Sequence, residues 1–85
     1  SASILIIRMS KVPYIDQSGL FALEDVLMDL IQKDIEVVFV GIQKQPKYLM
    51  KTIGIIGKLI PEEQVFTDFS SCKKYVIDEH KSITA

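Results

Sequence analysis

One short segment near the N-terminus, Asp16-Gln17-Ser18-Gly19, carries an acid, an amide and a hydroxyl at a predicted strand-to-helix junction. An extended run, 12–15, precedes it and an amphipathic run, 20–31, follows it. The first backbone N–H groups of a helix have no intrahelical partner, and the helix dipole makes this end mildly positive. The Ser18 hydroxyl could therefore cap the helix, bind an anion or carry a phosphate.

These three roles place different demands on the segment. In a purely structural turn, Asp16 bonds nearby backbone N–H groups, Ser18 caps the helix, and Gly19 permits close packing. Residue chemistry alone favours this structural turn, and binding of a loose anion at the helix start is the second interpretation. The residues by themselves leave the choice open.

No other group in the sequence is arranged for catalysis. Cys72 is the only cysteine, so it forms no internal disulfide, and we interpret it as an unreactive thiol. His80, the only histidine, suits the last turn of a helix and is distant in sequence from any nucleophile. Asp25 and Asp29 lie one turn apart on a solvated helix face. We therefore predict no enzyme, no metal site and no cofactor.

Composition and charge narrow the class of protein further. With 85 residues, of which 48% are hydrophobic and 25% charged, the chain is expected to form a single domain over 1–85. Its formal net charge of -1 argues against nucleic acid as a partner, because nucleic-acid-binding domains carry a basic stripe. No apolar run approaches the ~18 residues that span a bilayer.

Hydrophobic patterning predicts a strand, a helix and a strand around the junction. The apolar run 4–7 is typical of a strand buried on both faces, which we expect over about 4–10. A one-sided apolar face predicts a helix over about 18–33, after which Asp34 is expected to take up the turn. The members of that face are Leu20, Leu23, Leu27, Leu30 and Ile31. A second buried strand follows at about 35–41, so these elements form a right-handed βαβ unit.

The rest of the chain continues the alternation of strands and helices. A second helix is predicted over about 45–54, with Gly54 as its C-terminal cap. A short strand at about 64–66 precedes a last helix over about 68–80, which Thr67 or Asp68 caps. The expected fold is a small α/β domain with a mainly parallel sheet and alternating helices.

The first predicted strand leaves one edge of this narrow sheet without a partner. An apolar edge strand invites pairing with another segment. We expect either strands that precede Ile4 or self-association as a homodimer to cover this edge.

The junction resembles the signature of STAS domains, which sulfate-permease-family anion transporters share with bacterial anti-sigma-factor antagonists. That signature is an apolar residue, Asp, a small residue, Ser or Thr, Gly, and an apolar residue that opens a helix. Here 12–20 reads Val-Pro-Tyr-Ile-Asp-Gln-Ser-Gly-Leu, and Gln17 departs from the small residue. The strand at 37–41, the helix ending at Gly54 and the segment 65–68 also resemble the family in order. The resemblance implies a STAS fold in which the family's N-terminal strand or strands are missing.

The resemblance also implies a regulatory function. In anti-sigma-factor antagonists a partner kinase phosphorylates the Ser or Thr of the signature, which by alignment is Ser18. The segment 12–16 and the following Ala22-Leu23-Glu24 are more similar to the transporter branch than to the antagonist branch. In the transporter branch, the domain is thought to regulate transport through domain contacts. We therefore expect a non-catalytic cytosolic domain of a sulfate-permease-type anion transporter, located at the cytoplasmic side of the membrane. The alternative is an antagonist phospho-switch that uses Ser18.

The contact loop that the resemblance implies consists of Asp16, Gln17, Ser18, Gly19 and Leu20. Ser18 is the expected phosphorylation or helix-cap site within it. The expected partner is the membrane domain of the parent transporter or a cytosolic regulatory protein. Weak binding of an anion or a nucleotide at the helix start is a third, less favoured option.

Overall fold

Strands and helices alternate along the chain in the computed structural model, which describes residues 3–84 and the side chains of residues 3–78. The elements are β1 (Ser3–Arg8), α1 (Gln17–Gln32), β2 (Ile35–Val40), α2 (Lys44–Thr52), a 3-10 turn (Glu62–Gln64), β3 (Val65–Phe66) and α3 (Phe69–Thr84).

The three strands form one parallel sheet in the order β1-β2-β3. β1 pairs with β2 over six residues, from Ser3 opposite Ile35 to Arg8 opposite Val40. β3 adds two residues at the other side of β2. The predicted α/β fold, with a parallel sheet and alternating helices, is confirmed.

Two apolar clusters cover the two faces of the sheet, because successive side chains of a strand point in opposite directions. Val37 and Phe39 of β2 pack in the cluster that contains α1 and α2. Val38 and Val40 pack with Cys72 of α3 in the other cluster. The predicted burial of β2 on both faces is confirmed, and the helices α1 and α2 lie on one face while α3 lies on the other.

β1 is less buried than its apolar run predicts. No residue of β1 is fully buried, and the Leu5 side chain is 40% exposed. The prediction of burial on both faces is therefore wrong for this strand. The reason is that β1 pairs only with β2 within the described residues, so its side chains have sheet neighbours on one side only.

The element bounds differ from the predicted ones by at most four residues. β1 ends at Arg8 rather than near residue 10, because the chain turns there and the Val12 N–H donates to the Met9 carbonyl at 3.0 Å. The end of α1 is as expected: Asp34 takes up the turn with a left-handed φ of 60°. Gly54 also follows α2 in a left-handed conformation, with φ 88°, and the predicted cap is confirmed.

The last helix begins as predicted and extends further. The Ser71 N–H donates to Asp68 Oδ1 at 2.7 Å, so Asp68 rather than Thr67 caps α3. Hydrogen bonds from the backbone and from the side chain of Ser71 lower the pKa of the Asp68 carboxyl. α3 ends at Thr84, beyond the predicted bound at residue 80. The His80 side chain, whose role at the helix end was predicted, lies outside the described side chains.

Candidate functional site

The Asp16-Gln17-Ser18-Gly19 segment lies just past the carboxyl end of β1, where it opens α1. In parallel α/β sheets, the loops at the carboxyl ends of the strands form the usual binding edge. The loop after β2 lies at the same edge, because β1 and β2 are parallel neighbours. Side chains from both loops can therefore meet there.

Asp16 caps α1. Its backbone is extended, with φ -90° and ψ 174°, and its Oδ1 accepts a hydrogen bond from the Gly19 N–H at 2.7 Å. The first helical hydrogen bond runs from the Leu20 N–H to the Asp16 carbonyl at 2.9 Å. A cap must precede the first helical residue so that its side chain can reach the free N–H groups.

The predicted cap role of Ser18 is therefore wrong. Ser18 is the second residue of α1, so its backbone is already helical, and Asp16 occupies the cap position instead. The Ser18 side chain is exposed to solvent. Its hydroxyl is thus accessible from outside rather than engaged as the helix cap.

Gly19 allows the cap to form. A Cβ atom at this position would lie 3.1 Å from Asp16 Oδ1 and 3.3 Å from Ile15 Cγ1. Both distances are tighter than ordinary van der Waals contact, so a side chain would press on the cap and on the preceding residue. The predicted role of Gly19 in close packing is confirmed.

The contact loop is smaller than the resemblance implies. Leu20 is only 3% exposed and belongs to the apolar cluster beneath α1, so it is wrongly included in a contact surface. Gly19 is half-buried, whereas Asp16, Gln17 and Ser18 are exposed. The surface that a partner could touch is therefore these last three residues.

A side-chain amide from the first turn of α2 holds the extended segment before the cap. Gln45 Oε1 accepts from the Ile15 N–H at 2.9 Å, and Gln45 Nε2 donates to the Ile15 carbonyl at 3.0 Å. The amide thus bonds both backbone groups of Ile15, much as a neighbouring strand would. Gln43 makes a second link, since its Nε2 donates to the Ser10 carbonyl at 2.6 Å.

Gln43 and Gln45 are residues of this site that the sequence did not predict, since its pattern places residue 45 only at the start of the second helix. The available signal was their position: both lie within five residues of the end of β2, and the chain that follows β2 must lie beside the loop after β1 in a parallel pair. Two amides at that place can satisfy backbone groups of an irregular segment.

An apolar groove of about 320 Å³ lies beside the turn, between α1 and α2. It is lined by Tyr14, Ile15, Asp16, Gln17, Leu20, Phe21, Gln45, Leu49 and Ile53. Two aromatic rings at this groove remain accessible, with Tyr14 67% and Phe21 46% exposed. Exposed apolar surface next to polar groups is typical of protein-contact sites.

Cys72 and Asp29 make contacts that explain them as parts of the fold rather than of a reactive site. Cys72 is buried, and burial raises the pKa of its thiol while the Arg8 charge lowers it by less, which supports the interpretation as an unreactive thiol. Asp29 forms an exposed ion pair with Lys33 at 3.0 Å, one helical turn away. Among the described side chains, those of residues 3–78, no group of His, Cys, Asp and Glu could hold a metal ion. Within residues 3–84 no helix has the length and apolar character needed to cross a membrane.

A family model described as a STAS domain matches residues 1–71 of the chain. The match includes β1, the turn, α1, β2, α2 and β3 and ends within the first turn of α3. No curated protein matches the chain.

The cap assignment makes a direct prediction for stability. Asp16→Ala is expected to lower the free energy of unfolding by about 1 kcal/mol, because the Gly19 N–H loses its partner. Ser18→Ala is expected to change it by less than about 0.5 kcal/mol, as is usual for an exposed residue without such a role. Urea denaturation measures both, with Asp16→Asn as the control that keeps a capping side chain. A loss at Ser18→Ala as large as that at Asp16→Ala would contradict the assignment.

Proposed function

Because the chain belongs to the STAS domain family, we propose that it is a non-catalytic, cytosolic regulatory and interaction domain of a sulfate-permease-type inorganic anion transporter. A STAS domain suggests a regulatory or interaction role, in transporters or in anti-sigma-factor antagonists, and such domains are generally non-catalytic. The transporter branch is favoured by the residues that flank the turn, the phrase at 12–16 and the segment at 22–24, which resemble that branch.

The observation that carries the proposed contact role is an exposed turn with a fixed shape. Asp16, Gln17 and Ser18 face solvent, while the Asp16 cap and the Gln45 amide hold the backbone on both sides of them. A surface that is ordered before binding loses little conformational entropy when a partner docks. The exposed Tyr14 and Phe21 rings add the aromatic side chains that commonly anchor protein interfaces.

The proposed partner is the membrane domain of the parent transporter or a cytosolic regulatory protein. This places the domain at the cytoplasmic side of the cell membrane, as part of an integral membrane transporter. Contact through the turn would then couple the position of the domain to transport.

Transport by the full-length protein tests this proposal. Deleting 1–85 is expected to impair sulfate uptake or assembly of the transporter. Gln17→Arg is expected to lower uptake about fivefold or more, since a misplaced charge at an interface costs about 1 kcal/mol or more. The measurement is uptake of labelled sulfate by cells, normalised to the amount of protein in the membrane.

Gln32→Arg is the matched control for the point variant. It introduces the same side chain at an exposed glutamine of the same helix, about 22 Å further along α1. Uptake should stay near that of the unchanged protein. Equal uptake by the deleted and the complete protein would refute the transporter role, as would a gene product of about this size without transmembrane segments before Ser1.

The alternative function is a phospho-switch in an anti-sigma-factor antagonist. The observation that favours it is the exposed Ser18 hydroxyl, which Asp16 leaves free of the cap role. A phosphate would add about -1.5 to -2 charges in the first turn of α1, which the helix dipole favours. The Asp16 carboxylate two residues away would oppose that charge, so the effect would fall mainly on binding of a partner.

Incubation with candidate partner kinases and ATP tests the alternative. An antagonist is expected to gain the mass of one phosphate, and Ser18→Ala is expected to abolish the gain. Intact-mass spectrometry provides the measurement, with Ser71→Ala as the control because Ser71 is also an exposed serine in the first turn of a helix. No gain with the unchanged chain, or a gain that survives Ser18→Ala, argues against the switch.

A second copy of the chain and a small anion are two further proposed partners, with less support than the first. A second copy of the chain is supported by β1, which has no strand on its outer side among residues 3–84. Weak binding of an anion or a nucleotide at the start of α1 has less support. Asp16 already accepts the Gly19 N–H and places a carboxylate where the anion would sit.

A further inference from the structure

We propose that the outer face of α2 is a second docking surface, which binds an anionic membrane surface. The face consists of Lys44, Lys47, Tyr48 and Lys51, and we refer to it as the lysine face. It goes beyond the proposed function, because it does not depend on the turn at Ser18 or on the choice between transporter and antagonist.

Basic and acidic residues are segregated along the chain. The 25 residues 37–61 contain four lysines and no Asp or Glu. The other 60 residues contain six basic and eleven acidic side chains. A net charge of -1 therefore hides a basic segment within an otherwise acidic domain. Such a distribution orients the domain in the field of a charged surface.

Three of these four lysines lie on one side of α2. Lys44, Lys47 and Lys51 follow the spacing i, i+3 and i+7, which places them in one stripe. Tyr48 lies within the stripe, one turn after Lys44, and is 70% exposed. The buried residues of α2, Pro46 and Met50, belong to the opposite side, so the lysine face points away from the core.

One lysine of the face has an acidic neighbour. Lys51 Nζ lies 3.7 Å from Glu62 Oε1, and both side chains are largely exposed. An exposed pair at this distance is weak and is screened by salt. It leaves Lys51 able to turn towards a stronger anionic surface.

The shape of the face favours a membrane over an acidic peptide. The groove beside α2 is lined by Gln45, Leu49 and Ile53, and neither described cavity is lined by a residue of the lysine face. A helix face that lines neither of these cavities suits a flat layer of anionic headgroups. Long lysine side chains reach such a layer flexibly, and a tyrosine ring is suited to the boundary between water and lipid.

Vesicle binding tests the proposal with the 85-residue chain. We expect it to co-sediment with phosphatidylcholine vesicles that contain phosphatidylserine, to bind pure phosphatidylcholine vesicles much less, and to bind less at high salt. The combined variant Lys44→Gln, Lys47→Gln and Lys51→Gln is expected to lower the partition coefficient about 100-fold, because each removed lysine contributes about fivefold near such a surface. Tyr48→Ala is expected to lower it by a smaller factor.

A second triple variant controls for net charge. Lys11→Gln, Lys73→Gln and Lys74→Gln remove the same charge at exposed positions elsewhere, and binding should be largely retained. Equal loss in both triple variants would overturn the assignment to α2. No preference of the unchanged chain for phosphatidylserine would overturn the membrane assignment, as would binding of soluble polyglutamate in place of vesicles. None of these outcomes bears on sulfate uptake or on the Ser18 turn.

Discussion

The pair of hydrogen bonds between the Gln45 amide and the backbone of Ile15 is the constraint on which the candidate site depends. The segment between β1 and α1 leaves the sheet, so its backbone groups have no strand to pair with. Gln45, in the first turn of α2, supplies one donor and one acceptor, at 3.0 and 2.9 Å. Each such bond contributes about 1 kcal/mol net, and an unpaired, partly buried backbone group would cost more. The amide therefore fixes where the chain enters the cap at Asp16.

The exposed turn takes its shape from the constraints on both sides of it. The Gln45 amide fixes the residue before Asp16, the Asp16 carboxylate fixes the Gly19 N–H, and Leu20 inserts into the core directly afterwards. Gln17 and Ser18 lie between these points, and their side chains take part in none of these three contacts. Their side chains are thus available for a partner, or in the case of Ser18 for a phosphate, at little cost in stability. The residues that hold the turn in shape are thus different from those that a partner would touch. Such an arrangement suits a regulatory interaction domain.

Local signals predicted the parts of the fold that local patterns determine. The apolar face of α1, the buried run of β2 and the left-handed turns at Asp34 and Gly54 follow from residues close in sequence. The burial of β1 could not be predicted in this way, since it depends on which strands lie beside it. The sequence predicted Ser18 as the cap, whereas the structure has Asp16. Both are capping residue types only two positions apart, and only the backbone conformation distinguishes them. Gln45 contacts a residue 30 positions away, and a local sequence pattern cannot predict that contact.

Amide hydrogen exchange of Ile15 in Gln45→Ala measures whether the Gln45 side chain holds the segment before the cap, because the Ile15 N–H donates to that side chain. We predict that its exchange accelerates about 30-fold, corresponding to two hydrogen bonds of about 1 kcal/mol each. The amide of Val38 in β2 should keep its relative protection, and Gln43→Ala should leave Ile15 unaffected. Unchanged exchange at Ile15, or equal acceleration at Val38, would show that Gln45 does not hold the site locally and would contradict this account.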